Sequence, residues 1–172
     1  MMTRIHRIFV HLMLGSAICC SVETVGQDFE ISAGIGFPDV PNVGLKILNE
    51  TVSFGFAYGF VPNNDIRTIN LDLGFFYGKQ AKNAEARKSV FRTVFTHYRE
   101  ETERRIFNHS YLTFRVGWNY FFTSQFGLNL EGGISVEVGE NIISKDGTVP
   151  TNFNFVYDNV FPSLSIRFFY RI

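Results

Sequence analysis

The residues best suited to chemistry are an adjacent pair, His109 and Ser110. A histidine that takes the proton of a serine hydroxyl makes that serine a nucleophile, and the acidic residues Glu100, Glu101 and Glu103 could orient such a histidine. Neighbours on a β-strand point to opposite faces, so this pair could not easily act together if the segment is extended. We therefore predict polar residues at the end of a strand, no catalytic residues and no enzymatic activity.

Metal and cofactor sites have little support in the sequence. Beyond the N-terminal segment the only histidines are His97 and His109, which are too few and too irregularly spaced for a metal site. Both cysteines, Cys19 and Cys20, are adjacent and lie within that segment, so the rest of the chain can form no disulfide. The glycines recur at the period of a strand, without the strand–turn–helix context of a phosphate-binding loop. We predict no metal and no cofactor.

The N-terminal segment has the pattern of a secretory signal peptide. Basic residues precede a mostly apolar run at positions 8–20, which is too short to span a bilayer as a helix, since that needs roughly 20 residues. Small residues favour cleavage after Gly26, which gives a signal peptide at 1–26 and a mature domain at 27–172. Cleavage after Ser21, lipoprotein processing at one of the two cysteines, and an uncleaved anchor remain open alternatives.

The dominant hydrophobic period in the rest of the chain is two, which predicts β-strands. One face of each segment carries large apolar side chains, and the other carries glycine, polar and charged residues. The segment at 90–98 is the least regular, and its sequence does not show which of its two faces points outward. The sequence predicts eight strands, at 29–37, 43–48, 52–60, 69–77, 90–98, 111–120, 128–138 and 164–172.

Connections between these strands should alternate between short turns at one end of a barrel and longer loops at the other. Residues 48–51 and 123–125 suit the short turns. Residues 62–66, 99–108 and 140–161 suit the outer loops. The segment at 78–89 is long and basic where a short turn is expected, so either this turn is unusual or the strand count is wrong there.

The apolar face is expected to lie outside, against lipid. The chain contains 20 phenylalanines, and an eight-stranded interior is just wide enough to be filled by side chains, so aromatic side chains on most strands would overfill it. An all-β, eight-stranded antiparallel transmembrane barrel follows. The predicted lipid-facing and interfacial aromatics are Phe54, Phe56, Tyr58, Phe75, Tyr77, Phe114, Trp118, Tyr120, Phe168 and Tyr170.

The polar face is then expected to line the lumen. Buried charges must be paired, and both signs are available: Arg115 on one strand neighbours Glu131 or Glu137 on the next. Such a lumen would be closed by ion pairs and would not form an open pore. The predicted lumen charges are Lys46, Asp72, Arg115, Glu131, Glu137, Arg167 and Arg171.

The end of the chain resembles that of a known group of proteins. Residues 161–172, FPSLSIRFFYRI, are similar to the LPSLGIxxFYRF ending of Gram-negative outer-membrane β-barrel proteins, and the export signal and eight strands resemble the small OmpA/OmpX-type barrels. The resemblance implies a monomer in the cell outer membrane whose last strand is read by the barrel-assembly machinery. Ile172 stands where such strands usually end in Phe or Tyr.

Three functions follow from these observations. The first is a structural, adhesion or surface-interaction barrel whose partners are outer-membrane lipid and lipopolysaccharide; in this case the mixed-charge run at 98–105 is either a solvated loop or a loop that binds lipopolysaccharide phosphates. The second is a membrane-embedded lipid A-modifying hydrolase. The third is a secreted soluble barrel that binds a small apolar ligand. The formal net charge of 0 gives no support to a nucleic-acid partner.

Overall fold

The structure, a computed structural model, describes residues 28–49, 51–62, 65–77, 88–145 and 159–172. The predicted signal peptide and its cleavage site lie outside these residues. Eight antiparallel strands pair in chain order, and the first also pairs with the last, so the sheet closes into a barrel. The predicted all-β fold, a single eight-stranded antiparallel barrel, is confirmed. No helix in the described part of the chain is long and apolar enough to cross a membrane.

Each predicted strand corresponds to one strand of the barrel, and most extend further than predicted. The strands are β1 (Asp28–Phe37), β2 (Asn42–Leu48), β3 (Val52–Val61), β4 (Ile66–Tyr77), β5 (Lys88–Glu101), β6 (Arg105–Phe121), β7 (Phe126–Ser144) and β8 (Val160–Arg171). Alternation of apolar and polar side chains sets the face that each strand turns outward, because successive side chains point to opposite sides of a sheet.

The strands are strongly staggered around the barrel. The residue pairs that start at Ala33 lead through β2, β3, β4 and β5 to Ser110 on β6. In the other direction they lead through β8 and β7 to Tyr120, so the stagger is ten residues (120 minus 110). Such a stagger tilts the strands and leaves an eight-stranded interior that side chains can fill.

The two ends of the barrel differ. At one end, which we call the flush end, short connections join β2 to β3 through residues 49–51 and β6 to β7 through residues 122–125. At the other end, which we call the raised end, β7 pairs with β8 only as far as Val136 but stays paired with β6 as far as Ser144. The paired segments of β5, β6 and β7 therefore project beyond the other strands as a three-stranded ribbon, which we call the ribbon below.

The predicted loop at 99–108 was wrong, because strands continue through most of it. β5 ends at Glu101 and β6 begins at Arg105, so only residues 102–104 connect them. Thr102 closes this hairpin: its hydroxyl accepts from the Arg105 N–H at 3.1 Å and donates to the Arg105 carbonyl at 3.0 Å. The high density of charge in this segment concealed an alternation that belongs to a solvated ribbon.

Two other connections, the predicted outer loop at 140–161 and the long segment at 78–89 that the sequence left uncertain, lie mostly outside the described residues. The parts outside are residues 146–158 of the loop and residues 78–87 of the long segment. The structure shows which face of β5 points outward. Val90, Arg92 and Val94 are buried in the lumen, while Phe91 is exposed on the outer face.

Candidate functional site

Large apolar side chains cover the outer face of the barrel. Leu164 exposes 68% of its surface and Trp118 exposes 55%. All ten predicted lipid-facing aromatics lie on this face, where Phe114 is half-buried and the others are exposed. Among the described residues the buried set is mainly Ser, Thr, Asn and charged side chains. This distribution is the reverse of that in a water-soluble domain, which buries its large apolar side chains. We call this exposed apolar surface the belt.

The centre of the lumen is a carboxylate shared by two arginines. Asp39 belongs to the turn between β1 and β2 and is fully buried. Arg115 of β6 binds it through both terminal nitrogens of its guanidinium group, with Nη1 2.6 Å from Oδ2 and Nη2 3.0 Å from Oδ1. Arg167 of β8 places its Nη2 2.6 Å from the same Oδ2. Three distant parts of the chain therefore meet at one carboxylate.

The turn that carries Asp39 is held inside the lumen by further hydrogen bonds. The Phe37 carbonyl accepts from Arg115 Nη2 at 2.9 Å and from the Ser163 hydroxyl at 2.7 Å. The Thr68 hydroxyl donates to the Asp39 carbonyl at 2.9 Å. Backbone groups that would be costly to bury without partners are thus satisfied by side chains of β4, β6 and β8. The turn forms a plug across the lumen.

A second group of charges lies on the neighbouring strands of the lumen. Arg92 of β5 reaches two carboxylates, with its Nη1 2.5 Å from Glu131 Oε1 and its Nε 3.8 Å from Asp72 Oδ1. Arg167 Nη1 lies 3.7 Å from Asp72 Oδ2, which links this group to the plug. All of these side chains are at most 3% exposed. The charges therefore form one connected network.

The lumen is also filled toward the flush end. Lys46 and Arg171 each lie 3.2 Å from Glu30, one at each carboxylate oxygen. The Arg171 guanidinium carbon lies 4.7 Å from the centre of the Phe121 ring and 5.2 Å from that of the Phe169 ring. The two rings meet edge to face with their centres 5.2 Å apart. Ion pairs, cation–π contacts and aromatic packing together close this end.

Glu137 belongs to a separate group near the raised end. Its Oε1 is 2.5 Å from His109 Nδ1, and its Oε2 accepts from Asn159 Nδ2 at 3.0 Å. The His109 ring stacks between Phe107 and Tyr111, with ring centres 6.5 Å and 6.1 Å away. This half-buried cluster lines the mouth of the barrel, beyond the plug.

The predicted lumen charges all lie on the inner face, but their partners differ from those expected. Arg115 pairs with Asp39, whereas Glu131 pairs with Arg92 and Glu137 contacts His109. The expectation considered only neighbouring strands, while long side chains in a narrow barrel reach across the lumen.

Sequence reasoning also missed three of the charged residues in the lumen, Glu30, Asp39 and Arg92. Glu30 could have been found, since it shares the polar face of its strand with Ser32 and Gly34. Arg92 was missed because the outward face of β5 was left open. No local signal in the sequence indicates that the turn bearing Asp39 folds back into the barrel.

The His109–Ser110 pair does not form a catalytic arrangement. His109 lies on the inner face with Glu137, and Ser110 lies on the outer face opposite His97 of β5. The Ser110 hydroxyl and His97 Nδ1 are 3.5 Å apart, which is long for a hydrogen bond. No hydrogen bond joins His97 to a carboxylate in the described ranges. Nor do three or more His, Cys, Asp or Glu side chains come together there to hold a metal ion.

Comparisons with known proteins add the following. No protein family matches the chain, and no curated protein matches it in sequence. Among solved structures, the chain is similar to the crystal structure of Neisserial surface protein A, at 12% identity and a TM-score of 0.44. The match covers 85% of this chain and 93% of that one. A likeness this distant says nothing about the activity of the present chain.

Proposed function

We propose that the protein is a monomeric, non-enzymatic barrel of the bacterial outer membrane, of the small OmpA/OmpX type, with a closed lumen and a surface-interaction role. The observation that carries this proposal is the reversed distribution of polarity. An apolar belt surrounds a lumen of paired charges, which suits a barrel immersed in lipid. The alternative of a soluble barrel that binds an apolar ligand is disfavoured, because the lumen lining is polar and charged.

We infer the closed lumen from three groups of side chains along the barrel. The aromatic rings and ion pairs near Phe169 fill the flush end, the plug around Asp39 fills the centre, and the His109–Glu137 cluster lines the mouth. A solute would have to separate buried ion pairs in order to pass. We therefore expect the protein to act at its surface and not as a channel.

The surface role is supported by the ribbon of β5, β6 and β7. Its length exceeds what the belt requires, since β6 has 17 residues and β7 has 19, whereas a tilted strand crosses the hydrocarbon core with about 9–11 residues. The excess carries both charged and apolar side chains beyond the belt. A projection of this kind can contact the envelope surface or another cell.

Cell fractionation and gel migration test the proposal. The protein should sediment with outer membranes and should migrate differently on denaturing gels before and after heating, because a closed barrel resists unfolding by detergent. Recovery of the protein from the soluble periplasmic fraction would overturn the membrane assignment. Stable conductance steps in planar bilayers would contradict the closed lumen.

A lipid hydrolase remains the second candidate, because Ser110 and His97 face outward together near the edge of the belt. We expect Ser110→Ala to leave the lipid A composition of the cell unchanged, since the 3.5 Å separation and the lack of a carboxylate bonded to His97 among the described residues leave the serine unactivated. Mass spectrometry of lipid A from wild-type, Ser110→Ala and deletion cells decides the matter. A difference between wild-type and deletion cells that Ser110→Ala reproduces would establish the hydrolase.

A further inference from the structure

A strip of hydrogen-bond donors crosses four consecutive strands on the outer face near the raised end. Arg67 of β4 lies directly opposite Arg99 of β5, Arg99 opposite Asn108 of β6, and Asn108 opposite Asn141 of β7. Directly opposed residues lie about 5 Å apart, so the four side chains form a continuous row. We call this row the donor strip.

On β4 and β5, the donor strip begins where the belt ends. Phe60 on β3 is the cross-strand partner of Arg67, and Ile69 is the next outward residue on β4 toward the flush end. Both side chains are 43% exposed and belong to the belt. In a barrel whose belt lies in the hydrocarbon, residues immediately beyond it lie at the level of the lipid headgroups. Arg67 and Arg99 are themselves exposed, so this environment can reach them.

The charges of the donor strip are not balanced by the residues that the structure describes. Like charges directly opposite each other in a sheet are destabilising. Arg99 has a carboxylate partner, Glu101, at 3.1 Å, but this pair is largely exposed and Glu101 also binds Lys145 at 2.9 Å. Arg67 forms no ion pair within the described ranges of the chain. The two opposed guanidinium groups therefore have one carboxylate partner between them in the described ranges, and Lys145 competes for it.

We propose that Arg67 and Arg99 bind the phosphate of a membrane lipid, with Asn108 and Asn141 extending the contact to the neighbouring polar headgroup. A guanidinium group presents a planar fork of N–H donors that matches phosphate oxygens, and one phosphate between two arginines removes their repulsion. A lipid is favoured over a soluble anion because the adjoining belt holds the acyl chains beneath the same spot. This inference rests on the proposed membrane location.

Denaturant unfolding in vesicles tests the proposal. Wild-type barrel is refolded into phosphatidylcholine vesicles and into vesicles in which part of that lipid is replaced by phosphatidic acid. We expect phosphatidic acid to raise the unfolding midpoint of the wild type, and the Arg67→Gln/Arg99→Gln variant to lose that increase. The loss should be about fivefold in the unfolding equilibrium constant for each arginine.

Arg104→Gln/Arg105→Gln is the matched control, because it removes the same two charges from the tip of the β5–β6 hairpin, away from the belt. It should keep the increase in midpoint. An equal increase in all three proteins, or none in the wild type, would overturn the proposal in favour of general surface charge or no binding. An equal increase on adding inorganic phosphate to plain vesicles would overturn the lipid as the source.

Two further outcomes keep the tests separate. Should the double variant fail to fold, Arg67→Gln alone serves, since it breaks no ion pair in the described structure and should lose part of the lipid effect; an undiminished effect would count against the site. Failure of the wild type to fold into either vesicle contradicts the membrane barrel itself. Folding without any response to phosphatidic acid contradicts the lipid site and leaves the barrel standing.

Discussion

The lumen and the donor strip both contain arginines, but they differ in how far the described residues of the chain balance the charge of these arginines. In the lumen, each of five cations lies within 4.0 Å of at least one of four carboxylates, Glu30, Asp39, Asp72 and Glu131. In the donor strip, two opposed arginines have only Glu101, which also binds Lys145, as an ion-pair partner among the described residues. The lumen is cut off from solvent, so the chain itself must supply the counterions. At the edge of the belt, water and lipid headgroups can supply them.

The largest change in stability should come from the central carboxylate of the lumen. Asp39→Asn preserves the size of the side chain but removes the charge that Arg115 and Arg167 share. Loss of one partner from a buried pair costs about 3–5 kcal/mol. We expect the free energy of unfolding in phosphatidylcholine vesicles to fall by an amount in that range. Denaturant titration followed by the fluorescence of the single tryptophan, Trp118, measures it.

Asp65→Asn is the control for that experiment. Asp65 is an exposed residue with a φ of 45°, a conformation that asparagine also tolerates, so its substitution should change the stability by less than about 0.5 kcal/mol. If the two substitutions proved equally costly, or if Asp39→Asn were neutral, the lumen would not depend on its internal counterions and the contrast with the outer surface would fail.

The next largest effect concerns the belt. Ile166 is 48% exposed on the outer face, and its partners on either side are Ile35 and Leu130, which are also exposed. An arginine near the middle of the hydrocarbon layer destabilises a barrel by about 2–4 kcal/mol. We expect a loss of this size for Ile166→Arg in the same unfolding measurement.

Ile143→Arg provides the comparison on the ribbon. Ile143 is also on the outer face, with 36% of its surface exposed, but it lies on the part of β7 that extends past β8. Since water surrounds this segment in the proposed arrangement, the substitution should be close to neutral. Similar losses at both positions would show that the belt reaches further along the ribbon than proposed; no loss at Ile166 would argue against lipid contact.

The smallest of the three effects concerns packing inside the barrel. A Cβ atom at Gly133 would lie 2.8 Å from the Cα atom of Arg115, whereas a Cβ at the adjacent Gly132 would meet only Leu164 Cδ2 at 3.5 Å. Overpacking of this kind costs about 1–3 kcal/mol. We therefore expect Gly133→Ala to lower the unfolding free energy by that amount and Gly132→Ala to leave it nearly unchanged. No loss for Gly133→Ala would mean that the backbone at Arg115 can shift to make room.

The sequence was most informative where a local pattern alone shows which side chains point outward and which point inward. Alternation at 164–172 indicates both the strand and its two faces, because a period of two needs no knowledge of partners. The ribbon was harder to predict, since charged and apolar residues mix along it and neither face is uniformly apolar. The plug was not predictable at all, because a short turn between two strands can point outward or inward.

The sequence by itself therefore determined the eight strands, the apolar belt and the polar character of the lumen. Only the tertiary structure decided which charges meet. The stagger of ten residues brings β4, β6 and β8 around the plug and joins Asp39 to arginines 76 and 128 positions away. The same pairing sets Arg67 opposite Arg99 on the outer face. Side-chain alternation is a local property of the backbone, whereas ion pairing depends on how the closed sheet brings distant segments together.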